Sequence, residues 1–294
     1  MDLETFIVTV YCEVDDFVKQ FYPARHLRQR GPLPRLSDSE VITMEIVGEY
    51  LGLNTEKAIY QYFQRHWKHF FPSLPDRSNF VRQCANLWAV KRALFERLQR
   101  PWETNIQIVD SMPLEVCEFV RAKRSRLFKG ATAYGKWFGQ TIYGFKLHLK
   151  INRLGMVRAF DLTQANTHDL KVLPQLTGQD ANGWILGDKG YRSKPMIQQL
   201  REEQNLTLHT PVRINEKTPD LIDPALHKHL TGVRRLIETV NGQLEQYFHI
   251  KDIWARDLWH LIVRIVRKIV THTFCVLLNL KLNRDPLQLK GLVC

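Results

Sequence analysis

The sequence has few cysteines and no long uninterrupted apolar run, and each absence argues against a class of protein. The five cysteines are odd in number and none has CxxC spacing, which disfavours a disulfide framework and a cysteine-rich zinc site. The most apolar late stretch, residues 258–280, contains three basic residues and is a poor membrane span. The N-terminus carries acids and lacks the basic start of a signal peptide. These features predict a protein of a reducing cytoplasm that does not bind membranes.

Acidic residues are also scarce relative to basic ones. The chain has 42 Lys and Arg against 30 Asp and Glu, a net charge of +12. Most of the surplus lies after residue 100. Because a basic surplus of this size attracts phosphate backbones or anionic surfaces, the composition favours a polyanionic partner.

Residues 1–100 are predicted to form a helical domain. Ser37 and Glu40 have the spacing of a capping box and are followed by an apolar helical pattern. Two further helices are expected over residues 55–71 and from Ser78 to about residue 98, with short connections. A purely structural bundle and a DNA-binding bundle with a helix-turn-helix both fit this pattern.

After Pro101 the periodicity changes to that of an α/β domain. Residues 141–152 alternate, with Phe145, Leu147, Leu149 and Ile151 on one face. With residues 156–163 they predict a β-hairpin. Further strands are predicted at 105–114, at 183–188 and at 206–212, and helices at 168–176, 193–204, 234–248 and, once or twice, within 254–280. This order predicts a mixed sheet with flanking helices.

Three carboxylates stand at informative places in this order. Asp110 ends the first strand, Asp188 ends the fourth, and Glu238 lies on the helix after the fifth. If the first and fourth strands are neighbours, Asp110 and Asp188 meet, and a helix packed across the sheet brings Glu238 to them. Such oxygen ligands suit Mg²⁺. Taken singly, each aspartate is most often turn chemistry, and Glu245, two helical turns after Glu238, is an alternative third acid.

Five short motifs together resemble the DDE transposases of bacterial insertion sequences, closest to the insertion sequence 982 group. They are "IVDSMPL" around Asp110, "YGFKLHL" at 143–149, "ANTHDL" at 165–170, "GDKGY" around Asp188 and "RRLIET" around Glu238. The resemblance implies a ribonuclease H-like catalytic domain with a mixed five-stranded sheet over residues 101–250. A helical extension, residues 251–294, would follow it and pack on it.

The resemblance also implies a function and a site. Asp110, Asp188 and Glu238 would bind two Mg²⁺ ions, with Mn²⁺ as a substitute, for strand cleavage and strand transfer by phosphoryl transfer. The partners would be double-stranded DNA, as transposon ends with terminal inverted repeats and as target, and a second copy of the chain on that DNA. A bacterial or archaeal, nucleoid-associated location follows. A metal-dependent nuclease or resolvase of the same fold, and a non-catalytic DNA-binding regulator, remain alternatives.

Basic side chains near these motifs are candidates for DNA contact. Five fall within nine residues with no acid among them: Arg121, Lys123, Arg124, Arg126 and Lys129. Lys146, Lys189 and Arg234 are added because they lie in the motifs, and Arg234 matches an arginine of the wider family signature. Glu245 departs from that signature, which has a lysine there. His148 on the Lys146 strand face is more often structural, and His168 with Asp169 fits a helix cap.

Two other features bear on DNA contact and on cofactors. Arg264, Arg267 and Lys268 share a helix face that is either a second DNA contact or solvated. "GATAYGKW" at 130–137 lacks the Ser or Thr of a phosphate-binding loop, so no nucleotide cofactor is expected.

Overall fold

The protein is described by a computed structural model in two compact units. The described residues are 1–21, 33–102, 104–178, 180–211 and 224–293, without the side chains of 224–227. One unit contains Met1–Arg100, Leu244–Ala255 and Trp259–Cys294, and the other contains Pro101–Gln243 and Arg256–Leu258. Across these ranges no helix has both the length and the apolar character that crossing a membrane requires.

The first unit is helical. Its complete helices are α1 (Leu3–Phe21), α2 (Asp38–Tyr50), α3 (Glu56–His66), α4 (Arg77–Asn86), α5 (Trp88–Gln99) and α11 (Leu258–Lys281, from residue 259 onward). The predicted capping box is present: the Glu40 amide donates to Ser37 Oγ at 3.1 Å, and the Ser37 amide donates to Glu40 Oε2 at 2.6 Å. Both otherwise unpaired amides at the helix start are therefore satisfied.

Three basic residues of α11, Arg264, Arg267 and Lys268, lie in an ion-pair network within this unit. Arg267 is 1% exposed and donates from Nε to Glu49 at 2.6 Å and from Nη1 to Glu56 at 2.9 Å. Lys268 donates to Glu49 at 2.9 Å, and Arg264 donates to Glu56 at 2.8 Å. Both interpretations of this helix face from the sequence, DNA contact and solvated surface, are therefore wrong. Buried charges require partners, and here the acids of α2 and α3 supply them.

These pairs also show where the C-terminal residues belong. Most of residues 251–294 belong to the same compact unit as the N-terminal helices. Their packing on the catalytic domain, expected from the sequence, stays a prediction. A helical period shows which face of a helix is apolar, but it does not show which element covers that face.

The second unit contains a mixed six-stranded sheet. Its strands are β1 (Ile106–Glu115), β2 (Ala133–Trp137), β3 (Gln140–Asn152), β4 (Val157–Gln164), β5 (Gly183–Leu186) and β6 (Leu206–His209). The strand order is β2-β3-β1-β5-β6, and β4 also pairs with β3. Pairing is antiparallel among β1 to β4 and parallel between β1, β5 and β6. The predicted mixed sheet is confirmed, with six strands where five were predicted, because the short strand β2 was not predicted.

Helices flank this sheet. They are α6 (Phe119–Ala122), α7 (Leu173–Thr177), α8 (Lys194–Gln204), α9 (Pro224–Arg234) and α10 (Leu236–Gln246), the last of which ends within the helical unit. The helices expected at 168–176, 193–204 and 234–248 are present with shifted bounds. One apolar cluster joins β1 and β5 to α7, α8 and β6, and includes Val109, Leu173, Ile185, Leu200 and Leu208.

Both faces of β3 are buried from Phe145 onward. Phe145, Leu147, Leu149 and Ile151 share one face as predicted, with Leu149 opposite Asp110. Lys146 and His148 on the other face are also buried. The alternating pattern predicted which residues share a face, but it did not indicate that the polar face is covered as well.

Candidate active site

Asp110 and Asp188 occupy equivalent places on neighbouring parallel strands. Ile108 of β1 pairs with Leu186 of β5, and each aspartate lies two residues beyond that pair. The strand adjacency expected from the sequence is therefore present. A parallel register of this kind places both aspartates at the same level. Asp188 follows the end of β5, whereas β1 continues past Asp110 to Glu115, so the expectation that Asp110 ends the first strand is wrong.

The environment of Asp110 disfavours its charged form. Burial raises the pKa of Asp110 to about 6 against the hydrogen bond from the Ser111 amide. The nearby carboxylates of Asp188 and Asp169 raise it further, whereas Arg234 lowers it. A buried carboxylate beside like charges is typical of a site that a cation or a proton would stabilise.

Asp169 is a site residue that the sequence prediction placed only at a helix cap. Its Oδ1 accepts hydrogen bonds from Ser111 Oγ at 3.0 Å and from Lys146 Nζ at 3.1 Å. His168, its neighbour, does act as a cap, since Nδ1 accepts from the Leu170 amide at 3.2 Å. The one signal that could have identified Asp169 is its position inside the "ANTHDL" motif.

His148 and Lys146 are held by neighbouring strands and by Asp169. His148 Nε2 lies 2.8 Å from Thr163 Oγ1, and burial lowers the pKa of His148 to about 4. Its imidazole is therefore neutral near pH 7. Lys146 is 8% exposed and also donates to the Thr167 carbonyl at 3.1 Å. The structure thus gives Lys146 internal partners, and its predicted DNA contact stays a prediction.

Gly190 lies between two of the carboxylates. Asp188 Oδ1 accepts from the Gly190 amide at 2.8 Å and so caps a short 3-10 turn. A Cβ at Gly190 would lie 2.9 Å from Asp188 Oδ1 and 3.5 Å from Asp169 Oδ2. Any side chain here would therefore crowd the space between Asp169 and Asp188, which explains the glycine two residues after Asp188.

Helix α10 reaches Asp110 through an amide rather than through its glutamate. Asn241 Nδ2 donates to Asp110 Oδ2 at 3.0 Å. The Glu238 side chain is 60% exposed and lies 3.6 Å from Arg234. Within the described ranges no group of three or more His, Cys, Asp or Glu is placed to hold a metal ion. The structure thus brings Asp110 near Asp188 and Asp169, and it shows no contact from Glu238 to them.

The donor atoms around Asp110 are compatible with a divalent cation. Two buried oxygens near it, Asn241 Oδ1 and Tyr191 Oη, have no hydrogen-bond partner among the described residues. Burial raises the pKa of Tyr191, and the charges of Asp169, Asp110 and Asp188 raise it further. Carboxylate and amide oxygens are ligands that hard cations prefer, and unpaired buried oxygens indicate a missing partner.

The predicted basic segment is on the surface. Arg121, Lys123, Arg124, Arg126 and Lys129 are all exposed, and Arg121 lies 3.6 Å from Glu118. Lys189 is exposed and Arg234 is partly buried. Exposure makes the five basic side chains available to phosphates, and their contact with DNA stays a prediction.

The family of the chain is given by its catalytic region. A model of the transposase DDE domain matches residues 100–257, more than half of the chain. The chain belongs to the DDE transposase family. The matched residues of this DDE transposase include the whole sheet, both aspartates, Asp169 and helix α10.

Comparisons with individual proteins add less about this DDE transposase. No curated protein matches its sequence. Among solved structures, a piggyBac transposase in a synaptic complex with hairpin DNA is similar at 10% sequence identity, with a TM-score of 0.46. The similarity covers 98% of this chain and 78% of that chain.

Proposed function

We propose that this DDE transposase belongs to a bacterial or archaeal insertion sequence, resembling the insertion sequence 982 group. It would bind terminal inverted repeats, cut at the transposon end and join the freed 3′-hydroxyl to target DNA. The observation that carries the proposal is the placement of Asp110 and Asp188 at matching positions of two parallel strands inside the matched domain.

Two Mg²⁺ ions, or Mn²⁺ in their place, are the proposed cofactor. Asp110 would contact both ions, and Asp188 and Glu238 would each hold one. When bound, such ions supply an activated water and stabilise the leaving oxygen of an in-line displacement. The raised pKa of Asp110 supports this assignment, because a nearby cation favours the charged carboxylate that burial disfavours.

The Glu238 side chain must move locally to join Asp110 and Asp188 as a metal ligand. It precedes Asn241, which contacts Asp110, by three residues, so the two side chains lie on neighbouring parts of one helix face. In the described state Glu238 is near Arg234. A DNA phosphate that binds Arg234 would compete for this contact and leave the Glu238 carboxylate available. DNA binding would then promote assembly of the site.

Asp169, Ser111 and Lys146 are proposed to position the first strand. Their hydrogen bonds hold β1 to β3 and to the turn that follows β4. Asp169 also contributes negative charge near Asp110. We assign Asp169 a positioning and electrostatic role, because its Oδ1 is already occupied by two donors.

The deciding experiment measures cleavage and joining separately. The purified chain is incubated with Mg²⁺ and a DNA duplex that carries the terminal repeats flanking its coding region, with a supercoiled plasmid as target. Cleavage at the repeat end followed by covalent joining to the plasmid is expected. Cleavage without joining would identify a nuclease or resolvase. Repeat binding without cleavage would identify a regulator.

Assembly is tested on the same DNA. Joining two ends requires two active sites, so a complex with two chains and two DNA ends is expected in light scattering. A complex that stays at one chain for each DNA end throughout the joining reaction would contradict the proposed homodimer.

A further inference from the structure

The β2–β3 hairpin has an unusual residue in its turn. Trp137 pairs with Gln140, so the loop is the two residues Phe138 and Gly139. Their φ values are 46° and 82°. Positive φ at both positions is the signature of a type I′ turn, for which Asn-Gly and Asp-Gly are preferred. A bulky aromatic residue is disfavoured in this left-handed conformation.

The Phe138 side chain gains little burial in return. It is 94% exposed, the most exposed large apolar side chain among the described residues. Its ring lies edge-on to Trp137, 5.4 Å between centroids. A residue with an unfavourable backbone and an apolar ring in water weakens the fold twice. Local exceptions of this kind cluster at functional positions, so the ring is expected to have a partner outside the chain.

The part of the chain that leads to the tip carries both exposed aromatic and exposed basic side chains. Other exposed apolar groups nearby in sequence are Phe119, Val120, Leu127 and Tyr134. The Phe119 and Tyr134 ring centroids are 6.0 Å apart, which joins the basic segment to β2. No acidic residue occurs between 119 and 138, whereas that span holds Arg121, Lys123, Arg124, Arg126, Lys129 and Lys136.

This combination favours DNA over an apolar protein partner. Cations bind phosphates, and aromatic faces stack on bases or insert between base steps. A second copy of the chain would bring the same positive surface to the contact, and like charges would oppose it. We propose that Phe138 is a DNA wedge whose ring stacks on the exposed face of a base. This inference rests on the proposed function, since it requires DNA as the partner.

The register limits which part of the DNA the wedge meets. Leu149 is opposite Asp110, and Gln140 lies nine residues before it on β3. At about 3.3 Å for each residue the tip is roughly 30 Å from the level of Asp110 along the strand. That span corresponds to about nine base pairs. The wedge would therefore contact DNA that flanks the reacting phosphate.

The test compares a fully paired 40-base-pair duplex with the same duplex containing a two-base mismatch, whose bases are already partly unstacked. Affinity is measured by fluorescence anisotropy on the full chain. Wild type should prefer the mismatched duplex. Phe138→Ala should lower affinity for the mismatched duplex by about 5- to 150-fold, the effect of removing one base–aromatic stack. Phe138→Trp should retain the preference.

A second variant separates binding from folding. Phe138→Asn creates the preferred Asn-Gly turn and should raise the thermal unfolding midpoint by about 1 to 3 °C. It should nevertheless lose the preference for mismatched DNA. Trp254→Ala, which removes another highly exposed aromatic side chain, should keep that preference. An equal loss of this preference in Trp254→Ala would mean that exposed aromatic surface in general causes it, and would refute the wedge.

The outcomes distinguish the two proposals. If wild type binds neither duplex, the proposed function fails, and the wedge fails with it. If wild type binds both and Phe138→Ala leaves both affinities unchanged, only the wedge is refuted. Loss of self-association in Phe138→Ala, measured by sedimentation without DNA and accompanied by unchanged DNA affinity, would assign the tip to an interface between copies and refute the wedge.

Discussion

The side-chain amide of Asn241 donates a hydrogen bond to Oδ2 of Asp110 at 3.0 Å. This bond joins the helix that carries Glu238 to the strand that carries the partly buried Asp110. Asn241 lies three residues after Glu238 and four before Glu245, so both glutamates are at helical-neighbour spacing from it. Glu238 is near Arg234, and Glu245 pairs with Lys251 at 2.6 Å.

The first prediction concerns the three proposed metal ligands. Asp110→Asn, Asp188→Asn and Glu238→Gln each replace an anionic oxygen with little change in size. Each should lower Mg²⁺-dependent cleavage by at least about 100-fold, because the site loses charge where it is needed in the transition state. DNA affinity should stay close to wild type. The unfolding midpoint should not fall, and for Asp110→Asn it should rise, because burial disfavours the charged carboxylate. The measurement is end cleavage on a denaturing gel at saturating DNA.

Glu245→Gln is the matched control on the same helix. It should cleave at nearly the wild-type rate. Loss of cleavage in Glu245→Gln together with normal cleavage in Glu238→Gln would move the third ligand to Glu245.

The second prediction separates two roles for Lys146. Lys146→Gln should lower the free energy of unfolding by about 1–3 kcal/mol, because Asp169 then loses a charged donor in a largely buried place. Urea unfolding followed by circular dichroism measures this change. Lys189→Gln, at an exposed position, should stay within about 0.5 kcal/mol of wild type. Unchanged stability of Lys146→Gln with weaker DNA binding would instead support the DNA contact predicted from sequence.

The third prediction concerns the exposed basic segment. Arg124, Arg126 and Lys129 are replaced together by Ala. If they neutralise phosphates, affinity should fall for many DNA sequences alike, and the slope of log affinity against log salt should become shallower by about 0.9 for each phosphate that is no longer neutralised. Anisotropy titrations over a range of salt measure the slope. Cleavage at saturating DNA should be close to wild type, since no proposed metal ligand is changed.

Two results would contradict the proposed contact between this segment and DNA phosphates. An unchanged salt slope would show that these three side chains are only solvated. A drop in affinity confined to transposon-end DNA, with other DNA unaffected, would mean that they contact bases rather than phosphates.

The fourth prediction concerns the buried ion pairs of the helical unit. Burial of Glu56 raises its pKa, but the guanidinium groups of Arg267 and Arg264 more than offset this effect and hold the pKa at about 2. Arg267→Met removes one of these two groups. Glu49 and Glu56 would each lose a partner in a buried place, so the free energy of unfolding should fall by about 3–5 kcal/mol. Arg92→Met, at an exposed position of α5, should change it by less than about 0.5 kcal/mol. A small effect of Arg267→Met in urea unfolding would mean that water enters the network.

Particular residues show how far the sequence determines the site. Asp110 and Asp188 could be placed together because each comes directly after a short apolar run that predicts a strand, although β1 in fact continues past Asp110 to Glu115. Asp169 contacts Ser111, 58 residues away in sequence, and no local pattern encodes that bond. Likewise, the period of α11 indicated a basic face, but the acids that cover Arg267 lie more than 200 residues away, at Glu49 and Glu56. Such pairings follow from the tertiary fold alone.

The fifth prediction concerns His272, a fully buried residue of α11 whose ring lies 5.9 Å from that of Phe248. Burial lowers the pKa of His272 from 6.5 to about 4. As pH falls below 6.5, the unfolded chain therefore binds this proton before the folded chain does. Stability is present above the unfolded pKa and is lost progressively down to about pH 4, where the folded imidazole also charges. His272 alone should account for a loss of about 2 kcal/mol between pH 7 and pH 5.

His272→Gln should remove that share of the pH dependence, whatever its effect on stability at pH 7. The measurement is the free energy of unfolding in urea at pH 7 and pH 5 for each variant. His260→Gln, at an exposed position of the same helix, is the control and should keep the wild-type difference. If His272→Gln loses as much stability as wild type between the two pH values, the buried imidazole of His272 is not the group that titrates. Carboxylates or His148 must then account for the acid sensitivity.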